Sequence, residues 1–596
     1  MTYRQLIARS AMTLASVGAA LPAHADPPGR VARISFVSGP ASFRPASVDE
    51  WTTATINYPM TIGDHVWTDA GGRVELEMGP TVVRLSRNTE MSLLNLDDHI
   101  AQLRVTQGSV VARVRTLAQG DAVEIDTPNG ATMVSQPGFY RVDVNEGGDT
   151  TSVTVRSGSA ELATGNGSFP LGPGQAASLA GLDSPVYSAR GAAPTDDFED
   201  WSLTRDRRAE TAVSLRYAPG MIGYSDLDGY GQWQTVPDYG PVWVPRVPAA
   251  WAPYRYGHWV WVEPWGWTWV DDAPWGFAPF HYGRWARIGS GWCWVPGPIL
   301  VRPVYAPALV AFVGGTNWSI SMSLGAAPVG WFPLGPREPF VPAYHVTEVY
   351  LGAVNYGRVN VTTVAYVNRE VPGAITAVPR DVFVGARPVG AVAVVVRPEV
   401  VRAAVVVGTA AVVPERVSIV GVAAGRVYAP PAAVVERRVV ARAVPPPAPV
   451  AFAARREALA QHPGVPLDET AVANLRAREA ARPQPMVRTA APAAAARPAP
   501  AGAAVARPAS PPQDLAARHA QEQAEIETRH AQELANMQAQ HQRAEAAAAS
   551  EKQREQMRQQ HAQETKQLQD RQRQEHDQMQ KRQEQERKAQ PKGRGQ

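Results

Sequence analysis

The residues best placed to do chemistry lie between positions 258 and 295. His281 stands between Phe280 and Tyr282, with Arg284 close behind it, and the nearest carboxylates are Glu263, Asp271 and Asp272. An imidazole beside a carboxylate is the smallest set that can move a proton as general acid and base. A glycoside hydrolase needs two carboxylates fixed across a rigid cleft, and these three acids make a thin case for one. A single histidine inside an aromatic hairpin is more often a hydrogen-bonded structural residue, and an Asp pair there suits a turn. Cys293, the only cysteine, sits between Trp292 and Trp294 and reads as a buried, inert thiol. One thiol per chain excludes an internal disulfide, a zinc ribbon and a CxxC redox site.

Other catalytic signatures are missing. All five lysines lie at or after Lys552, which removes a phosphate-loop lysine and a Schiff base from everything before it. Ser157-Gly158-Ser159 lies in a strand turn and is no nucleophile elbow. His519, His530 and His541 recur every eleven residues; on a helix they stand about 16 Å apart, too far to share one metal. The expectation is a non-enzymatic protein with no catalytic residue, no metal and no cofactor.

Binding is the stronger prospect. Residues 229–345 hold 14 of the 17 tryptophans. Each is large and carries an N–H that needs a partner, so burying all of them is hard. Rings left in water would suit flat sugar faces or a partner's proline. The candidate ligand-binding set is Trp261, Trp265, Trp267, Tyr282 and Arg284, with Trp265, in a turn beside Gly266, as the ring expected to be exposed. The competing use of the same rings is plain core.

These rings are spaced by a repeat. Trp233, Trp259 and Trp285 are 26 residues apart, and Trp243, Trp269 and Trp294 follow at 26 and 25. Each unit reads Gly-x-Trp, a glycine turn, then Trp-Val, which is a candidate β-hairpin. One hairpin cannot bury its apolar face alone, so the three are expected to share a core in which Trp233, Trp259 and Trp285 are equivalent.

Around this centre the chain divides. Arg4 and Arg9, the apolar run from Ala11 to Leu21 and Ala23-His24-Ala25 form a secretory signal pattern over 1–25, with the mature chain starting at Asp26. Residues 30–183 alternate apolar and polar in Val74-Glu75-Leu76-Glu77-Met78, Val123-Glu124-Ile125-Asp126 and Val153-Thr154-Val155-Arg156. Glycine and proline turns separate such runs, so this part is all β, as a sandwich, barrel or solenoid. Residues 184–228 read as a linker with one short polar helix near 197–208. Residues 391–512 drift into Val/Ala/Arg/Pro low complexity; the early part has strand-forming composition, and from about Pro445 onward it reads as a disordered linker. Arg397, Pro398, Glu399 and Arg402 interrupt the apolar stretch 392–413, so no transmembrane span is expected. Residues 513–590 lack proline and glycine and read as a long polar helix or coiled coil, at most weakly self-associating. Residues 26–200 carry 12 Arg against 22 acids, whereas 380–510 carry 17 Arg against 8; the two stretches could attract each other, but an acidic domain tied to a basic tail is also a common accident.

Two resemblances follow from these residues. Gly63-Asp64-His65-Val66-Trp67-Thr68, Gly72 with Val74-Glu75-Leu76, Leu103 to Gly108, Thr127-Pro128-Asn129-Gly130, Pro137 to Val142, Val153 to Gly158 and Leu171 to Gln175 resemble the FecR family in their order. That resemblance implies an all-β periplasmic domain, which in the best-understood members relays an outer-membrane receptor's state to a sigma factor. Those members carry a membrane helix before the domain, where this chain has a signal pattern. The Trp-rich repeats, with Phe280-His281-Tyr282-Gly283-Arg284-Trp285, Trp331 to Gly335 and Tyr366 to Pro379, resemble an uncharacterised exported Trp/Tyr-rich family often found behind such a domain. The fold expected is mainly β: a FecR-like domain, a Trp-rich hairpin domain over 229–390, a linker and a C-terminal helix. The function expected is that of a periplasmic or cell-envelope sensor or scaffold. Its partner would be an envelope protein or, alternatively, a carbohydrate or peptidoglycan, and not nucleic acid.

Overall fold

The computed structural model describes residues 26–490 except 315–317, 319–327, 358–364, 395, 397–399, 401, 403, 424 and 480–486, with scattered positions between 537 and 583. The chain forms two compact units, 1–496 and 497–596. The expected signal segment and the three tail histidines lie outside the described residues. In the second unit every described position between 537 and 583 is helical. No helix among the described residues is long and apolar enough to cross a membrane.

The first domain is all β. Seventeen strands from Ala32 to Gly191 join in one hydrogen-bonded network. Its spine is the strand Ile100–Val114. The first half pairs with Thr89–Leu96 and, in parallel, with Ala122–Asp126; the second half pairs with Thr81–Leu85 and Gly138–Val144. The strand changes partners near Gly108, whose φ is +92°. A Cβ there would stand 2.3 Å from Thr89 Oγ1 and 2.5 Å from Thr89 Cα, so only glycine lets the chain turn this corner.

The apolar positions of each alternating run, Val74, Leu76, Met78 and Ile125 among them, form the core. Alternation ordinarily leaves the other face in water. Here it does not: Glu75, Glu77, Glu124 and Asp126 are all buried, because later segments of the chain lie over them.

The first covering segment is the supposed linker 184–228, which is part of the domain. Val186–Gly191 is a strand on Gln175–Ala180. The helix Asp197–Glu210 starts where the Asp196 carboxylate accepts the N–H groups of Phe198 and Glu199, and it carries acids in its first turn and Arg207 and Arg208 in its last. Both features stabilise a helix through its free ends and dipole. It buries Phe198, Glu199, Ser202, Asp206 and Ala209. Arg156 donates to both Glu199 oxygens at 2.7 Å, and Arg205 does the same to Glu75. A segment held to the first domain through Glu199 and Arg205, and through buried Asp206 on Arg84, cannot behave as a tether.

The three expected hairpins are present: Gly231–Val236 with Gly240–Pro245, Gly257–Val262 with Gly266–Asp271, and Arg284–Ile288 with Gly291–Val295. Register sets tryptophan opposite tryptophan in each: Trp233 with Trp243, Trp259 with Trp269, Trp285 with Trp294. The outer two hairpins join through Trp243 and Trp294, while the middle one stays a separate ribbon. All the tryptophans of this region except Trp233 are buried, most of them in one apolar cluster that runs on into the first domain. Trp233 is the exception to the expected equivalence. It is half-buried, stacks on Tyr217 at 4.4 Å and donates to Ser214 Oγ.

The early part of the low-complexity stretch contributes a strand, and the described residues from Pro445 to Ala490 are not an extended linker throughout. Val405–Val407 adds to the strand Val310–Gly314. Ile419, Val420, Phe452 and Leu459 enter the main core. The short helix Arg416–Val420 and the helices Phe452–Gln461 and Glu469–Arg478 interrupt the Pro/Ala composition. Scattered apolar anchors, each too isolated to show as a period, hold this stretch in place.

Candidate functional site: a buried ionic joint and an open cleft

Arg33 is the centre of the joint between the first domain and the hairpins. Its guanidinium is wholly buried. Nη1 meets Glu77 at 3.2 Å and Asp226 at 2.7 Å. Nε donates to Asn57 Oδ1 at 3.0 Å, Nη2 donates to the Pro274 carbonyl at 3.0 Å, and the cation lies over the Phe277 ring. Asn57 passes the link on, donating to the carbonyls of Asp271 and Ala273 at 2.8 Å each. Glu77 also accepts the Gly223 N–H at 3.0 Å. Gly223 has φ +85°, and a Cβ there would lie 2.6 Å from Arg33 Nη1. One cation thus binds the first domain, the 223–226 turn and the 271–274 turn.

The electrostatics follow from burial and crowding. Burial pulls the Arg33 guanidinium down, but Asp226 and Glu77 outweigh it and hold it above its ordinary value. Burial raises the Glu77 carboxyl, and Asp226 and Glu75 add to that against Arg33. Beside it, burial opposes the charge of Glu75, yet Arg205 and Arg84 hold that carboxyl well below the usual range. Arg84 bridges Glu75 at 2.6 Å and Asp206 at 2.8 Å. Buried charges of this kind persist only when each has a partner.

The acid–base candidates do not meet as a pair. His281 bonds through Nδ1 to the Ala306 carbonyl at 2.8 Å, stacks on Tyr305, and is pushed down to about 3 by burial, so it is neutral. Asp271 accepts from Trp269 Nε1 and from the Ala273 N–H, both at 3.0 Å. Burial raises this carboxyl well above the usual range. It shapes the turn that Asn57 and Arg33 grip. Glu263 pairs with Arg455. Cys293 is buried, which pushes its thiol up. Among the described residues no group of three or more His, Cys, Asp or Glu is arranged to hold a metal.

The candidate ligand platform is core. Trp265 is 3% exposed and packs edge-on to Tyr305, which corrects the expectation of an exposed ring. Trp261 and Trp267 face each other across the middle hairpin, and Trp267 donates to the Val412 carbonyl. Tyr282 is buried, and its carbonyl accepts from Trp294 Nε1. Arg284 donates to the carbonyls of Glu338 and Gly283 and to Asn355 Oδ1, so its guanidinium is spent on the fold. Backbone carbonyls also take the indoles of Trp243, Trp318 and Trp331. Irregular chain threaded among the rings supplies these acceptors, and sequence spacing gives no sign of it.

An open cleft of about 1340 Å³ lies elsewhere, on the first domain. Trp67, the Gly71-Gly72 turn, Arg87, Arg141 and Glu146 line it on one side, and residues 429–437 wall it on the other. Sequence reasoning missed it because its walls come from stretches far apart in the chain, from Ser38 to Arg437. Of its lining, the glycine pair Gly71-Gly72 is a local turn signal.

Comparison with known proteins divides along the same lines. Residues 64–161 match the FecR protein family. Residues 224–338 match a family of unknown function, DUF6600. The joint therefore lies between a FecR-like domain and a DUF6600 domain. No curated protein matches the chain. Two crystal structures of a putative anti-sigma factor from Parabacteroides distasonis ATCC 8503 are similar to part of it. One is 17% identical over 21% of this chain and 59% of that one, the other 15% identical over 23% and 64%, each with a TM-score of 0.20. The chain thus spans about six tenths of the length of those proteins.

Proposed function

We propose that the chain acts by binding, as a FecR-like sensor or scaffold of the cell envelope, and that it catalyses no reaction. The observation that carries this reading is the open cleft on the FecR-like domain, with one wall rich in polar and charged side chains and the other, the chain's own 429–437 segment, mostly apolar. Such a cleft suits a segment of another protein better than a small ligand, which would be enclosed on most sides. The rings that motivated a glycan platform are core, which removes the support for that alternative.

The test is crosslinking capture from an envelope extract with the exported chain and with a variant carrying Arg87→Glu and Glu146→Lys, two exposed positions of the cleft. One defined protein partner, lost in the variant, is the expected result. Co-sedimentation with purified cell wall, unchanged in the variant, would replace the reading with glycan binding. Export through the 1–25 segment is part of the proposal. The intact mass of periplasmic protein should correspond to a chain beginning at Asp26.

A further inference from the structure

The second covering segment lies over Glu124 and Asp126, and its contacts are unlike those of its neighbours. It is anchored at both ends by apolar residues of the main core, Ile419 and Val420 before it and Phe452 and Leu459 after it. Between these anchors no described residue belongs to that core; Val440 packs only in a four-member cluster with Ala131, Ala163 and Ala490. Val434, Val439 and Ala441 are buried outside that core, Val439–Ala441 pairs in parallel with Val487–Thr489, and polar contacts tie the middle to the first domain. The Glu124 carboxylate accepts the N–H groups of Arg442 at 2.6 Å and Ala443 at 3.1 Å. Gln102 Nε2 donates both to Asp126 Oδ2 and to the Ala443 carbonyl. Arg104 donates to the carbonyls of Val435 and Arg437. Val440 pairs with Thr127 through an antiparallel bridge. At the rim, Arg442 meets Glu161 and Arg488 meets Asp183, each at 2.8 Å.

The acidic excess of the first domain is therefore occupied by the basic excess of the later chain. After the short helix Ala432–Val435 the occupant is extended at Val439–Ala441, and just beyond it offers the N–H groups of Arg442 and Ala443 and the Arg442 guanidinium to carboxylates already fixed in place. The two rim ion pairs are exposed and contribute little each, and a stretch with no side chain in the main apolar core exchanges more readily than one packed into it.

We propose that this acidic face of the FecR-like domain is a receptor for extended, arginine-bearing protein segments, and that residues 426–443 are its resident occupant, displaced when a partner's segment takes their place. The inference rests on the reading above only in taking the partner to be a protein. Because the same segment walls the cleft, its displacement also opens that site.

The test uses the purified full chain and a labelled peptide copying residues 432–445. In a variant carrying Arg437→Glu, Arg442→Glu and Arg488→Glu the resident segment is released. The peptide should then bind at least tenfold more tightly than to the unaltered chain, and added salt should weaken that binding. A copy with its arginines replaced by glutamate should not bind. Equal binding to both chains, or none to a variant whose circular dichroism is unchanged, overturns the proposal. If the triple variant does not fold, Glu124→Gln in the otherwise unaltered chain decides it. Amide exchange at 439–443 should quicken at least tenfold, and unchanged exchange overturns the proposal. No envelope partner enters these measurements, so they can fail or succeed independently of the capture experiment.

Discussion

Arg33→Met tests whether the buried joint holds the FecR-like domain and the hairpins together. Methionine fills a similar volume without charge. The change leaves Glu77 and Asp226 without their shared cation, and it removes the donors to Asn57 and the Pro274 carbonyl. Removing one partner of a buried ion pair costs about 3–5 kcal/mol, because the other charge stays buried and unpaired. Asp226 keeps some solvent contact, its side chain being 20% exposed, so most of the cost falls on Glu77. Calorimetry of the full chain should show the main transition fall by roughly 10 °C, at about 2–4 °C per kcal/mol for domains of this size. It should also split, because the two domains no longer share the joint. Adding Glu77→Gln should recover about half of the loss. It removes the stranded charge while keeping an acceptor for the Gly223 N–H, and a hydrogen bond to a neutral group is the weaker kind. A loss below about 1 kcal/mol, the scale of a surface change, or no recovery in the double variant, would refute the argument.

Three further outcomes follow from the same geometry. Trp265→Ala should destabilise as much as Trp259→Ala, about 3–5 kcal/mol each in denaturant unfolding, since both rings are core; a surface-like loss at Trp265 would restore the exposed platform. Gly108→Ala should be strongly destabilising, because the new Cβ meets Thr89 where φ is already left-handed, and a loss under about 1 kcal/mol in the same assay would show that the spine can bend another way. For Asp126 the sign is set by a raised carboxyl. Burial first, then the Glu124 charge, lift it well above its usual range, against the hydrogen bond from Gln102, and Arg104 is its register partner on the next strand. A group that binds its proton more tightly when buried gives stability present at low pH and lost as pH rises through the raised value. Stability should therefore decline above the ordinary carboxylate range, and Asp126→Asn should flatten that decline in unfolding measured across pH.

Much of the chain was legible from its residues. The turn pairs and alternating runs of 30–183 mark an all-β domain, and the 26-residue spacing marks three hairpins whose register pairs Trp259 with Trp269. Period and turn chemistry act over a few residues, so the sequence carries them. It was also enough to set opposite charge excesses on the two stretches that meet in the folded chain.

What only the tertiary structure decided is which polar faces stay in water. Glu75, Glu77, Glu124 and Asp126 occupy the outward positions of alternating strands, and nothing local distinguishes them from solvated acids. They are buried because Arg205, Gly223 and Arg442, far away in sequence, bring donors that replace water. The tryptophans follow the same logic. Trp267 could be buried because the Val412 carbonyl arrives to take its indole N–H, and no spacing rule records a meeting between residues so far apart. Residues 391–490 read as a linker because their apolar anchors are few and irregular. Each becomes an anchor only where a separate surface is already waiting for it. Burial of a polar group depends on a partner, and the partner's position is a property of the whole fold.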